Sequence, residues 1–125
     1  MKTITIANAL PPAGHYSPAL VSGGLVFVSG ILPIDPYAGT KLNDKDFATQ
    51  TEQVLANLEL ILNEAGSSLS KLLKVTVYVT NISDWDEFNR LYAAKLGDHK
   101  PARTVVPVPE LHFGLKLELD AIAQV

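Results

Sequence analysis

Arg103, in the run Pro101-Ala102-Arg103-Thr104, and Glu118, in the alternating stretch Leu115 to Ala123, are the residues best suited to chemistry on a small organic acid. A guanidinium holds a carboxylate through two parallel hydrogen bonds, a geometry that lysine does not reproduce. A glutamate on a stiff strand can orient a water or take its proton. Each residue alone has a plainer reading. An arginine after a loop proline is ordinarily a surface ion-pair residue, and a glutamate on an alternating strand is ordinarily a solvated face position. The surroundings of the two must decide.

The chain has 125 residues, 47% of them hydrophobic and 18% charged, which suits one domain spanning 1–125. Ten Lys and Arg stand against 13 Asp and Glu for a net charge of −3, and the cations are scattered. Nothing here attracts a phosphate backbone or an anionic bilayer, so neither nucleic acid nor membrane is an expected partner. There is no cysteine, hence no disulfide and no thiolate site. Met1 to Ile6 lacks the long apolar segment of a signal peptide, and the apolar run Leu55 to Leu62 is broken by Asn57 and Glu59. A cytoplasmic protein is expected. His15, His99 and His112 stand apart without ligand spacing, which argues against a metal site.

The elements that must position Arg103 and Glu118 follow from periodicity and turn residues. Thr3 to Ala7 reads as a short strand, and Pro11-Pro12 with Gly14 forces a loop. Gly23-Gly24 turns into a strand from Leu25 to Ser29 that is apolar on both faces. Pro33, Pro36 and Gly39 predict an ordered irregular loop from Gly30 to Thr40, the kind of segment that often carries a site. Phe47, Val54, Leu55, Leu58, Ile61 and Leu62 recur at helical spacing between Asp46 and Ala65. Leu73 to Thr80 switches to period two. A second helix is predicted after Ser83 as its cap, ending at Gly97, with Trp85, Phe88, Leu91, Tyr92 and Leu96 as its apolar set. Thr104 to Val108, hemmed by Pro107 and Pro109, can pair only as an edge or at its start, and Leu115 to Ala123 makes the last strand.

This order predicts an α+β sandwich, a mixed sheet with two helices on one face. If Leu115, Leu117, Leu119, Ala121 and Ala123 face the helices, the other face carries Lys116, Glu118, Asp120, Ile122 and Gln124. That mixture is too apolar for water in places and too polar for a core. It fits a subunit interface, so a homo-oligomer with sites between subunits is expected.

Five segments then occur in an order, and with gaps, that resemble the RidA/YjgF family of enamine and imine deaminases. They are Gly14-His15-Tyr16-Ser17, Val28-Ser29-Gly30-Ile31-Leu32-Pro33, Asn89, Pro101-Ala102-Arg103-Thr104, and Lys116 to Ala123. The resemblance covers nearly the whole chain. It implies a chorismate-mutase-like sandwich assembled as a homotrimer, with a central barrel and a cleft at each subunit interface. Arg103 matches the arginine that grips the substrate carboxylate, and Glu118 the glutamate that positions or activates water. Tyr16 matches an aromatic residue lining the cleft, Ser29 a serine beside the bound acid, and Asn89 a polar residue near the pocket. Val105 stands where many members have cysteine, and Ile31 where a glutamine follows the Ser-Gly pair, so the resemblance implies a more apolar pocket here.

The activity this implies is cofactor-free hydrolysis of reactive 2-imino acids, such as 2-iminopropanoate and 2-iminobutanoate, to 2-oxo acids and ammonia. Such imines are tautomers of enamines like 2-aminoacrylate, and an imine is already an electrophile, so the protein need only hold it and deliver water. A second reading keeps the trimer and the arginine clamp as a catalytically silent binder or regulator of a 2-oxo acid. The presence of Glu118 favours the enzyme, because a binder needs only the arginine.

Overall fold

Six strands and two helices make up the computed structural model, which describes residues 1–125. In chain order they are β1 (Lys2–Ile4), β2 (Ala19–Ser22), β3 (Leu25–Ile31), α1 (Phe47–Glu64), β4 (Leu72–Val79), α2 (Trp85–Leu96), β5 (Ala102–Pro107) and β6 (Leu117–Gln124). One sheet runs in the order β1-β2-β3-β6-β4-β5. All its pairs are antiparallel except β4 with β5. That parallel pair needs a crossover, and α2 supplies it. The α+β class, the mixed sheet, the two helices and the edge position of β5 are as expected from sequence.

β2 is an addition to the expected order. It is only four residues long, and Gly23 and Gly24, at φ 60° and 78°, join it to β3 in a two-residue hairpin. Both turn residues lie in the left-handed region that glycine enters without penalty, as the tight hairpin requires. A second correction concerns the start of α2. Asn81, not Ser83, does the capping, its Oδ1 accepting from the Ser83 N–H at 3.0 Å and the Ser83 hydroxyl at 2.7 Å. This stabilises a short 3-10 turn, Ile82–Asp84, that leads into the helix. α1 starts as predicted, with the Asp46 carboxylate accepting from the Thr49 N–H at 2.9 Å.

The core lies between the sheet and the helices. Leu117, Leu119, Ala121 and Ala123 of β6 alternate inward beside Val75, Val77 and Val79 of β4, and Val54, Leu55, Leu58, Ile61 and Leu62 of α1 are buried in the same cluster. Two fully or nearly buried amides of α1 fasten the surrounding loops. The Gln50 amide donates to the Lys45 carbonyl at 3.0 Å and accepts from the Lys116 N–H at 2.9 Å, just ahead of β6. Asn57 donates to the Ile34 carbonyl at 2.8 Å and accepts from Gln53 at 2.8 Å. The irregular segment after β3 is thereby held without regular structure, since its backbone groups find side-chain partners.

Thr51 is the exception in this well-paired region. Its hydroxyl is buried and has no hydrogen-bond partner. Removing an unsatisfied buried hydroxyl in an isosteric exchange recovers its desolvation cost. Thr51→Val should therefore stabilise the protein by about 1 kcal/mol, read as a higher urea midpoint at unchanged slope.

Candidate functional site

Alternation along β6 decides where Glu118 points. Leu117 and Leu119 enter the core, so Glu118 lies on the opposite sheet face, half-buried and in register with Tyr78 of β4. On its other side β3 bulges. Val28 pairs with Ala121 and Ile31 with Leu119, so Ser29 and Gly30 together oppose Asp120. Such a bulge re-aims the strand beside it. Here it brings the Gly30 backbone against Glu118 so closely that a Cβ on Gly30 would lie 2.9 Å from Glu118 Oε1. Glycine is required there to leave room for the carboxylate.

Ser29 fixes the loop on the far side of this contact. Its hydroxyl donates to the Ser17 carbonyl at 2.6 Å and its N–H to the Pro18 carbonyl at 3.0 Å. Tyr16, just before, stands half out of the protein. Tyr16, Ser29, Gly30, Leu32 and Glu118 line a cleft of about 580 Å³, which His112 and Phe113 close from the other side. Burial pushes the Glu118 carboxyl above its ordinary range. The nearby His112 opposes that rise, and the Asp120 carboxylate adds to it. A carboxylate displaced in this direction is a better proton acceptor near neutrality.

His112 is a cleft residue that spacing did not reveal. It belongs to a short turn, His112–Gly114, immediately before β6, and Phe113 within it has a φ of 61°. No pattern in the sequence links an isolated histidine to a glutamate on the next strand. Only the chain reversal ahead of β6 sets them in one hollow.

The arginine belongs to a second group. Arg103 pairs in register with Val75, whose side chain is in the core, so it lies on the helix side of the sheet, on the end strand β5. Its Nη2 donates to Asn89 Oδ1 of α2 at 3.1 Å. The guanidinium lies over the ring of Tyr92 at 4.9 Å and over those of Trp85 and Phe88 at 5.7 Å each. Trp85 belongs to the apolar set of α2, which predicts burial. It is 39% exposed, and Phe88 fills the interior instead. Burial raises the Tyr92 hydroxyl to about 12, with Arg103 opposing, so this ring stays neutral. No carboxylate reaches Arg103. The ion pairs in the chain are Arg90 with Glu87 and Lys95 with Glu59. Val105, two residues on, is half-buried against the core on the same side.

Within one chain, then, Tyr16, Ser29 and Glu118 gather on one face, while Arg103, Asn89 and Val105 gather at the β5 edge of the other. Ile31 does not line the Glu118 cleft, though it borders a smaller hollow with Tyr16, Ser29 and Gly30. It is 6% exposed and packed in the core, because the bulge turns it inward opposite Leu119. No cluster of three or more His, Cys, Asp or Glu offers a metal site, and no helix is long and apolar enough to cross a membrane.

Residues 6–125 match the family model described as endoribonuclease L-PSP. The chain belongs to this family, which is the YjgF/RidA family. A RutC family protein from Pyrococcus horikoshii is 41% identical over 122 residues, covering 98% of this chain and 96% of that relative. The crystal structure of RidA from an Antarctic Psychrobacter superposes with a TM-score of 0.93 at 34% identity over the full length of both chains. Escherichia coli TdcF, solved with bound serine, superposes with a TM-score of 0.92 at 31% identity, covering 100% of this chain and 99% of that one. The YjgF/RidA fold is thus shared from end to end.

The raised Glu118 pKa also bears on stability. A folded-state pKa above the unfolded one means that the native state holds the proton more tightly, so stability falls as pH rises through that interval. Glu118→Gln removes the ionised group. Its melting temperature should equal or exceed that of the parent at neutral pH, and the difference should vanish on acidification below the Glu118 pKa, as measured by thermal denaturation across pH.

Proposed function

We propose that this protein is a cofactor-free deaminase of reactive 2-imino acids, acting as a homotrimer in which the Arg103 edge of one subunit closes over the Glu118 cleft of the next. The observation that carries this reading is that Arg103 is braced by Asn89 and three aromatic rings, yet has no carboxylate partner. A half-buried, oriented guanidinium left unneutralised is suited to receiving an anion from outside the chain. Its separation from Glu118 in one protomer supports a shared site. An edge that complements a different face makes a heterologous contact, and such contacts form a ring where the rotation between neighbours closes. The bound serine in the TdcF structure, a small molecule carrying both carboxylate and amine, is in keeping with a ligand of this size.

In this reading Arg103 holds the substrate carboxylate by a bidentate pair, with the imine carbon toward Glu118. Glu118 takes a proton from water as the oxygen adds to the carbon of the protonated imine, giving a neutral carbinolamine. Glu118 passes that proton to the nitrogen, the C–N bond breaks with ammonia as the leaving group, and the hydroxyl proton goes to the Glu118 carboxylate as its oxygen becomes the 2-oxo group. Gly30 leaves space for the carboxylate, and Tyr16 walls the cleft. The nuclease activity named in the family model gains no support from a chain of net charge −3.

The test is a coupled assay in which a dehydratase generates 2-iminobutanoate or 2-iminopropanoate and decay of the imine is followed. The parent protein should accelerate the decay and Arg103→Ala should abolish the acceleration. Glu118→Gln should still bind a 2-oxo acid but turn over about 100-fold or more slowly. Unchanged decay with the parent protein would transfer the assignment to the silent binder.

Two further outcomes follow from the same geometry. Gly30→Ala displaces the flexible end of Glu118 rather than backbone, so it should keep nearly full thermal stability while losing most turnover. Because the ionised carboxylate is the base, the rate should fall as pH drops through the Glu118 pKa. That acid limb should lie above the usual carboxylate range in the parent and be missing from Glu118→Gln.

A further inference from the structure

Beside the Glu118 cleft lies a second hollow of about 380 Å³. Ala13, Tyr16, Gly30, Leu32 and Phe113 border both, so the two spaces adjoin. Its walls are largely apolar and include Leu10, Pro12, Leu32, Ile34 and Phe113. Leu10, Tyr16 and Phe113, which line it, are 57%, 54% and 53% exposed. Large apolar side chains gathered around a concavity and left half in water mark a binding surface for something apolar.

The carboxylate of the hollow is already committed. The Asp35 carboxylate accepts from the N–H groups of Tyr37 and Ala38 at 2.8 and 2.9 Å. Lys41 sets its ammonium over the Phe113 ring at 4.6 Å. Phe113 is held at a φ of 61°, a conformation that bulky residues seldom adopt. The back is closed tightly, since Leu10 Cδ1 lies 2.9 Å from where a Cβ on Gly39 would be. The mouth toward Glu118 carries three rings, Tyr16, His112 and Phe113, with His112 and Phe113 tilted against each other at 5.8 Å. Rings lining a mouth offer edge and face contacts to another ring.

We infer that this second hollow is a side-chain subsite and that the preferred substrates are 2-imino acids carrying an aromatic side chain, rather than the methyl or ethyl group of the smallest imines. The inference rests on the deaminase reading. With the carboxylate on Arg103 and the imine carbon at Glu118, a methyl group leaves the second hollow empty, whereas a benzyl group reaches Phe113 and the apolar walls behind it.

The experiment generates 2-imino acids in situ from L-phenylalanine, L-leucine and L-alanine with an amino-acid oxidase and compares kcat/KM. The phenylalanine-derived imine should exceed the alanine-derived one by roughly tenfold or more, with the leucine-derived one between them. Ile34→Trp, which fills the hollow away from Glu118, should bring the phenylalanine-to-alanine ratio to near one, and Phe113→Ala should lower it independently. Size-exclusion chromatography of both variants accompanies the kinetics. An alanine-derived imine that is turned over as fast as the others, with a ratio that neither variant moves, would overturn the subsite and leave the deaminase reading standing. Failure to accelerate any imine would overturn both. Dissociation of the oligomer in either variant would make the hollow a subunit contact and end the proposal.

Discussion

A strand cannot choose faces independently for successive residues, and this constraint on β6 governs the whole molecule. β6 lies between β3 and β4 in the middle of the sheet. Once Leu117, Leu119, Ala121 and Ala123 are committed to the core, Glu118 and Asp120 are committed to the other face. Removing the glutamate from that face would need a register slip that also expels four core residues. The carboxylate is therefore positioned by the hydrophobic effect acting on its neighbours rather than by hydrogen bonds of its own. The bulge in β3 and the side-chain-free Gly30 adapt the adjacent strand to it.

Neither half of the candidate site is at ease in a lone chain. Glu118 is partly desolvated beside another carboxylate, which disfavours its charge. Arg103 is stacked on aromatic faces and bonded to a neutral amide, which retains its charge without neutralising it. Each group thus has an unmet electrostatic demand of opposite sign, on opposite sides of the sheet. Under the assembly proposed here, the two demands face one another across a seam, with the substrate between them.

Much of this was legible in the sequence because it rests on periodicity. Both helices, the strands β4 and β6 and the inward set of β6 follow from spacings of 3.6 and 2. β2 is not legible because four residues flanked by a proline loop and a glycine pair carry too little alternation to stand out. The cap of α2 is ambiguous in the sequence because Asn81 and Ser83 are both good cappers and a 3-10 turn intervenes. Trp85 followed the apolar stripe, yet lies at the first turn of α2, where the helix leaves the core. At the site, Glu118 and Arg103 could be chosen by residue type, but Ile31 was drawn to the cleft by its place after Ser29-Gly30, and a bulge reverses the face of whatever follows it. His112 shows the opposite failure, since tertiary folding alone relates it to Glu118.

The two walls of the cleft are fastened to the rest of the protein in unequal ways. Leu32 and Ile34 are tied by their carbonyls to Asn57, a buried residue of α1 that shares its helix with much of the core. Leu10, Tyr16 and Phe113 stand opposite on loops, with half their surface free. A backbone shift on the α1-tethered wall pulls on the folding unit itself, whereas a shift on the loop wall does not. Divergence among descendants of such a protein would therefore accumulate on the loop side, where new ligand preferences can be sampled without loss of the scaffold.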